Sequence, residues 1–326
     1  MAIYQDDKLV KRAYTKVSYT KEEIDQLRAC LDPVTGPRYF IENFMYIQHP
    51  MKGRQKLELY DFQLDLIDNY HVNRKSINMV SRQMGKTTVA AGYLLWYAMF
   101  VDDATILIAS NKYDGAQEIM HRVRYAYESV PDHIRAGVKT YNKRSIDFDN
   151  NSRIVATTTT ENTGRGMSLS LVYLDEFAFV EPNIAKEFWT SLSPTLSTGG
   201  KCIITSTPNT DEDQFADIWF GANKLVDSNG NETTVGINGF RPYIATWEAH
   251  PDRDQEWADS ELAGLGEDRF LREHKCQFIT FEETLINPVK LSQLEPSQPI
   301  RKTGQVRWYG DIRPNMTYVV SLDPSM

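Results

Sequence analysis

At 326 residues the chain is long enough for one large α/β domain with an appendage, or for two domains. Hydrophobic residues at 41% and charged residues at 25% exclude a disordered or fibrous chain. The 36 Lys and Arg against 44 Asp and Glu leave a net charge of −8, which excludes a uniformly basic DNA coat and restricts nucleic-acid contact to local patches. Cys30, Cys202 and Cys276 are odd in number, far apart and without a C-x-x-C, so neither a disulfide framework nor a zinc site is expected, and a reducing compartment is. The apolar run near Tyr93 to Val101 is too short to span a bilayer, and the polar start is no signal peptide.

Residues 1–56 read as a polar, added subdomain, with a helix capped by Thr20 and broken at Pro33, Gly36 and Pro37. An amphipathic helix follows from Leu57 to Ile67 and carries Gln63. A glutamine amide accepts from adenine N6 and donates to N7, so Gln63 is either an adenine reader or a solvated helical residue.

Ser76 to Val80 then reads as a short apolar strand, and from Thr87 the chain is a helix apolar on nearly every face. Between them lies Ser81-Arg82-Gln83-Met84-Gly85-Lys86-Thr87. In such a strand-loop-helix, successive backbone N–H groups and the helix N-terminus present positive charge to a phosphate, and Gly85 lets the backbone come close. Lys86 would neutralise the β- and γ-phosphates of ATP, and the Thr87 hydroxyl would serve Mg²⁺. The cradle so defined runs from Ser81 through Thr88. The usual pattern places a glycine where Val80 stands, so a Gly-Lys-Thr turn opening an ordinary helix is the competing reading.

A buried-type strand at Thr105 to Ala109, a helix from Asp114 to about Ser129, and a hairpin across Asp149-Asn150-Asn151-Ser152 come next. The strand and helix alternation predicts a parallel sheet, at whose carboxyl edge Asn111 and Lys112 are either DNA contacts or a capping turn. Leu169 to Leu174 is an apolar strand that delivers Asp175 and Glu176 at its tip. Asp175 would hold Mg²⁺ and Glu176 would orient and activate the attacking water. Just upstream, Arg165 sits between Gly164 and Gly166, the setting of a mobile cation. Arg165 and Arg82 compete for the guanidinium that phosphoryl transfer needs.

Cys202 to Ile204 form a further strand ending in Thr205-Ser206-Thr207, hydroxyls able to report on the γ-phosphate or simply to cap the next helix. Asp227 to Asn238 reads as a polar loop, Pro242 to Thr246 as an edge strand and His250-Pro251 as a turn before two helices. The predicted organisation is thus a subdomain at 1–56, an ATPase core at 57–286, a linker at 287–316 and a strand at 317–326 that reaches Asp323 and stops.

Taken together, SRQMGKTT, LVYLDEFAF, TSTPNT and LGEDRFLREHKCQFITFEETLI resemble the ATPase portion of the large terminase subunit of tailed bacteriophages. That family tolerates a missing first glycine and carries an arginine early in the loop, as at Val80 and Arg82. The resemblance implies a P-loop α/β fold with a small N-terminal lid-like subdomain, an adenine contact at Gln63, a Mg²⁺ Asp and a catalytic Glu at Asp175 and Glu176, and a coupling motif at Thr205-Ser206-Thr207. It further implies ATP-driven translocation of double-stranded DNA in the host cytoplasm, with a procapsid, its portal protein and a small terminase subunit as partners. A homo-oligomeric ring is expected on assembly and a monomer in isolation. An RNase H-like nuclease domain would follow, with Asp323 as its first metal ligand. A two-RecA-domain helicase shares the Gln, Gly-Lys-Thr and Asp-Glu logic, but the chain beyond Thr205 falls short of a second domain of ~150 residues. A nucleotide-gated assembly module would have no use for the water-activating Glu176.

Overall fold

The computed structural model describes residues 2–5, 8–49, 51–197, 199–227, 230–278, 299, 301–303 and 306–308. Contacts divide the chain into two units, 1–280 and 281–326.

In the first unit the elements run β1 (Ala2–Gln5), β2 (Lys8–Lys11), α1 (Lys21–Leu31), α2 (Gly36–Phe44), β3 (Tyr46–His49), β4 (Gly53–Lys56), α3 (Asp61–Val72), β5 (Lys75–Val80), α4 (Lys86–Phe100), β6 (Thr105–Ser110) and α5 (Tyr113–Ser129). They continue with β7 (Val138–Tyr141), β8 (Ser145–Phe148), β9 (Arg153–Thr158), β10 (Leu171–Asp175), α6 (Pro182–Leu196), β11 (Lys201–Ser206), α7 (Gln214–Ala222), β12 (Arg241–Ala245), α8 (Gln255–Leu265) and α9 (Glu267–Glu273). Eight strands form one sheet in the order β12-β5-β11-β10-β6-β9-β8-β7. The six from β12 to β9 are parallel, and β8 and β7 close the far edge antiparallel. All six parallel strands therefore deliver their carboxyl ends to one rim, where ligands meet folds of this kind.

Residues alternate between the two faces of each strand, and in the central strands β5, β11, β10 and β6 both faces are buried, so these read as near-continuous apolar runs. Leu171 and Tyr173 of β10 face one core with α3, α4 and α5, while Val172 and Leu174 face a second core with α6 and α7. Helix α4 is apolar all round because α2, α3, α5 and the sheet enclose it. The residues upstream of α3 share this core: Cys30, Phe40 and Ile41 are buried within it, and the indole of Trp96 on α4 donates to the Cys30 carbonyl at 2.8 Å. Truncating Trp96 to Ala would open a cavity at that join and cost about 3–5 kcal/mol. Thr20 caps α1 as the sequence predicts, exchanging hydrogen bonds with Glu23.

All three cysteines are buried and unpaired, and among the described residues no helix is long and apolar enough to cross a membrane. In the second unit Arg301–Thr303 (β13) and Val306–Trp308 (β14) pair antiparallel within the stretch expected to be linker. Asp323 and its strand lie outside the described residues.

Candidate functional site

The phosphate loop connects β5 to α4. Val80 is still in the sheet, paired with Ala245 of β12, so its backbone is extended and has no need of glycine. The loop then departs under external hold: Ser81 N–H donates to the Ala245 carbonyl at 2.9 Å and Arg82 N–H to the Glu273 carbonyl at 2.8 Å. Gln83 and Gly85 both lie in the left-handed region, at φ 59° and 74°. A Cβ added at Gly85 would stand 2.6 Å from the Gln63 amide nitrogen, so a side chain here would displace Gln63 as well as strain the left-handed backbone. Among the described residues no acceptor takes the N–H groups from Gln83 through Thr88, the last of which open α4. A row of unspent donors at a helix start is an anion site.

Strand β11 stands between the phosphate strand β5 and the carboxylate strand β10, and its register sets Thr205 beside Asp175. Asp175 is buried, and its carboxyl is pushed up to about 7, first by desolvation and then by the neighbouring Glu176, against the opposing pull of Lys86, a Tyr173 hydrogen bond and Arg122. The Tyr173 hydroxyl donates to Asp175 Oδ1 at 3.0 Å, and alongside it the Tyr70 and Thr205 hydroxyls meet at 3.3 Å. Glu176 turns into the left-handed region at φ 50°, a conformation costing an L-residue roughly 1–2 kcal/mol. Three contacts hold it there. Its N–H donates to the Thr205 carbonyl at 2.8 Å, its Oε1 lies 2.8 Å from Lys86 Nζ, and its Oε2 accepts from Ser206 Oγ at 3.3 Å. Ser206 Oγ in turn accepts from Ala178 N–H at 3.3 Å.

Lys86 at the start of α4 thus meets Glu176, with Asp175, Thr205 and Ser206 at the adjacent tips of β10 and β11 and Thr207 buried one residue further on. Other expected residues are placed differently. Gln63 is buried with both ends of its amide engaged by backbone, Nε2 donating to the Met84 carbonyl at 2.9 Å and Oε1 accepting from Tyr60 N–H at 3.2 Å. Thr88 accepts from Arg122 at 3.1 Å, and Thr87 is half-buried. The Arg82 side chain is 66% exposed, 4.0 Å from Glu273. Arg165 is exposed on a loop with Gly164 and Gly166 at φ 78° and 75°, its guanidinium bonded only to Asn162 of the same turn among the described residues. Lys112 is exposed, and the Asn111 amide oxygen accepts from Ser110 Oγ at 3.3 Å.

Sequence reasoning missed the outer support of the loop. Arg253 Nη2 donates to the carbonyls of Arg82 and Gln83 at 3.1 and 3.2 Å, and Ser81 Oγ lies 3.4 Å from His274 Nδ1. It also missed Arg122 and Tyr173 beside Asp175. Glu273 and His274 lie inside the segment LGEDRFLREHKC, a motif without an assigned role, and Arg253 carried no signal. Next to the loop a cavity of ≈ 680 Å³ is lined by Tyr60, Gln63, Gln83, Gly85, Thr88 and His250, among others. The His250 ring packs on Tyr60 at 4.6 Å and the Tyr60 hydroxyl donates to Asp252 at 3.3 Å, so the predicted turn residue is a wall of this cavity. Among the described residues no group of three or more His, Cys, Asp or Glu is placed to hold a metal unaided.

The family described as terminase large subunit, T4likevirus-type, N-terminal, matches residues 77–293. The fold is similar to that of the large terminase ATPase domain of Thermus phage P74-26, with a TM-score of 0.52 and 20% identity over 68% of this chain and 94% of that one. The large terminase of bacteriophage HK97 aligns with a TM-score of 0.52 and 21% identity over 72% of this chain and 49% of that one. The large terminase of thermophilic bacteriophage D6E in complex with ADP aligns with a TM-score of 0.53 and 12% identity over 68% of this chain and 54% of that one. The chain spans about half the length of the whole large terminases it matches.

Proposed function

The chain belongs to the large terminase subunit family of the T4likevirus type, and we propose that it hydrolyses ATP to drive double-stranded DNA into a viral procapsid. The observation that carries this reading is the meeting of Lys86, Glu176 and Ser206 beside a loop of unspent N–H donors. A phosphate chain on the loop would draw Lys86, which is held by Glu176 at 2.8 Å, towards the transferring group. Glu176 would then be free to take a proton from the attacking water, with Ser206 keeping one of its oxygens in place.

Thr87 and Asp175 would hold Mg²⁺, the remaining ligands coming from phosphate oxygens and water, which suits a site with a single dedicated carboxylate. When bound, the ion neutralises charge developing on the phosphates. Asp175 fits this duty: its carboxyl, pushed up to about 7 by burial, would be restored to the ionised form by a cation beside it. The purine would enter the cavity beside Tyr60 and His250, with Gln63 at its floor.

Arg165, on its glycine-flanked loop, supplies a guanidinium to the γ-phosphate of a neighbouring subunit in a homo-oligomeric ring, and Arg82 is the alternative within the same subunit. The ring docks on the portal protein of the procapsid in the host cytoplasm, with the small terminase subunit as a further partner. The chain alone is a monomer and a slow ATPase.

ATP turnover measured for the chain alone, with DNA, and with DNA and procapsids tests the proposal. Turnover that needs Mg²⁺, rises with DNA and procapsids, and disappears in Glu176→Gln supports it. ADP binding without any turnover under all three conditions would favour a nucleotide-gated assembly module instead.

A further inference from the structure

We infer that Arg253 is a positioning residue that sets the peptides of the phosphate loop in their anion-binding orientation. The inference rests on the reading of this loop as a phosphate site and adds the element that shapes it. A trans peptide is planar, so a carbonyl held on one side turns the N–H of the same peptide to the opposite side. Three successive carbonyls of the loop are held from outside: Arg82 and Gln83 by Arg253 Nη2 at 3.1 and 3.2 Å, and Met84 by Gln63 Nε2 at 2.9 Å. Their partner N–H groups belong to Gln83, Met84 and Gly85, the first three of the unspent donors. The side chains that grip the carbonyls therefore aim the donors.

This grip is needed because little inside the loop supplies it. Val80 is fixed in the sheet, and Gln83, not a glycine, occupies the left-handed conformation at φ 59°. Such a residue persists only when its surroundings over-determine it. Arg253 is itself well placed to over-determine it. Its guanidinium lies 4.3 Å from the centre of the Trp257 ring on α8, and α9, which packs on α8, is tied to the loop by the Arg82–Glu273 backbone bond and the Ser81–His274 contact. Nη1 of Arg253 is buried without a partner among the described residues, so direct contact with a phosphate is the competing role that the experiment must separate.

The experiment has two arms. The first follows amide hydrogen exchange over residues 81–88 and over α8 and α9, in protein without nucleotide, for wild type, Arg253→Ala and Arg253→Lys. Faster exchange over 81–88 in Arg253→Ala, with α8 and α9 unchanged, supports positioning. Loosening confined to α8 and α9 overturns it. The second measures ADP and ATP-γ-S affinity by calorimetry. Loss of charge-assisted hydrogen bonds to two carbonyls should weaken both ligands by a similar factor, on the order of tenfold, in Arg253→Ala. Arg253→Lys should recover part of it, since an ammonium still reaches one carbonyl. A loss several times greater for ATP-γ-S than for ADP would assign Arg253 to the γ-phosphate and overturn the inference, as would ADP affinity within twofold of wild type. Failure of wild type to bind either nucleotide would instead strike the proposed function, with the exchange arm still deciding the role of Arg253.

Discussion

Two loops that leave the carboxyl ends of parallel strands, the one after β5 and the one after β9, carry exposed or charged basic residues, and they are built in opposite ways. The loop before α4 is tied on every side: its N-terminal donors go to Ala245 and Glu273, its carbonyls to Arg253 and Gln63, and Lys86 to Glu176. The loop around Arg165 packs Gly164 against Leu107, Leu169 and Leu192, but beyond Thr163 its side-chain hydrogen bonds stay within its own turn, and its arginine is exposed between two glycines in the left-handed region. A cradle works best when its donors already point at the place where charge will sit, because reorganisation then costs nothing at the moment of reaction. A residue that must reach another molecule works best when its backbone is free to follow.

The largest effect is expected from Arg165→Ala. In an assembled ring with DNA it should lower turnover on the order of 10³-fold, the scale of an arginine finger, while nucleotide affinity of the isolated chain stays at the wild-type value. A weakened affinity in the isolated chain would place Arg165 in its own site and erase the distinction between the loops. Mixing Arg165→Ala with Glu176→Gln protein should restore part of the rate, because one interface then pairs an intact site with an intact arginine. No recovery, with assembly verified, would move the role to Arg82.

On the rigid side, Glu176→Gln should lower turnover on the order of 10² to 10⁴-fold and leave nucleotide binding in place. Single-turnover kinetics together with an equilibrium titration separate the two quantities. A rate within threefold of wild type would remove Glu176 from the chemistry.

A third test reads the cost of holding Asp175 buried. Its carboxyl in the folded protein, pushed up to about 7, lies above the ~3.9 of an unfolded Asp, so burial favours the protonated form. The stability this group provides is complete below about pH 4 and is lost as pH rises through about 7. Asp175→Asn, measured by thermal or denaturant unfolding without nucleotide, should therefore stabilise more at pH 8 than at pH 5, by about 2–3 kcal/mol. An equal effect at both values would mean that Lys86 fully compensates the buried charge.

The smallest effect is expected from Ser206→Ala, which frees one oxygen of Glu176. Turnover should fall about tenfold, as for one lost hydrogen bond to a charged group, with nucleotide affinity unchanged.

The strand, loop and helix from Ser76 onward, and the Asp175-Glu176 pair, were legible because each is a local pattern: an apolar run, a turn signal and a chemical group within a dozen residues. The position of β11 between them was not, since strand order is decided by packing between elements far apart in the chain. Gln63 was singled out for its amide, yet its residence under Gly85 follows from the tertiary approach of α3 to the loop, which no spacing announces. Val80 looked like a missing glycine because the pattern was aligned on the loop; the register with Ala245 makes it a strand residue. Arg253 had no neighbours in sequence to mark it out, and its partners lie 170 and 171 positions away.

That separation has a consequence for how the molecule is made. During synthesis β5, the loop and α4 emerge well before β12, α8 and α9, so the chain exists for a time with the Walker-type sequence complete and its outer ties missing. Contacts of such long range form late, after loop-closure entropy has been overcome. With Arg253 setting the loop, the ability to grip a phosphate should arrive late in the maturation of the first unit, and a nascent chain halted before Arg241 should carry the sequence of a nucleotide site with little of its affinity. Nucleotide binding followed on stalled chains of increasing length should rise in a step once the segment through His274 has left the ribosome, a clock for the completion of the fold.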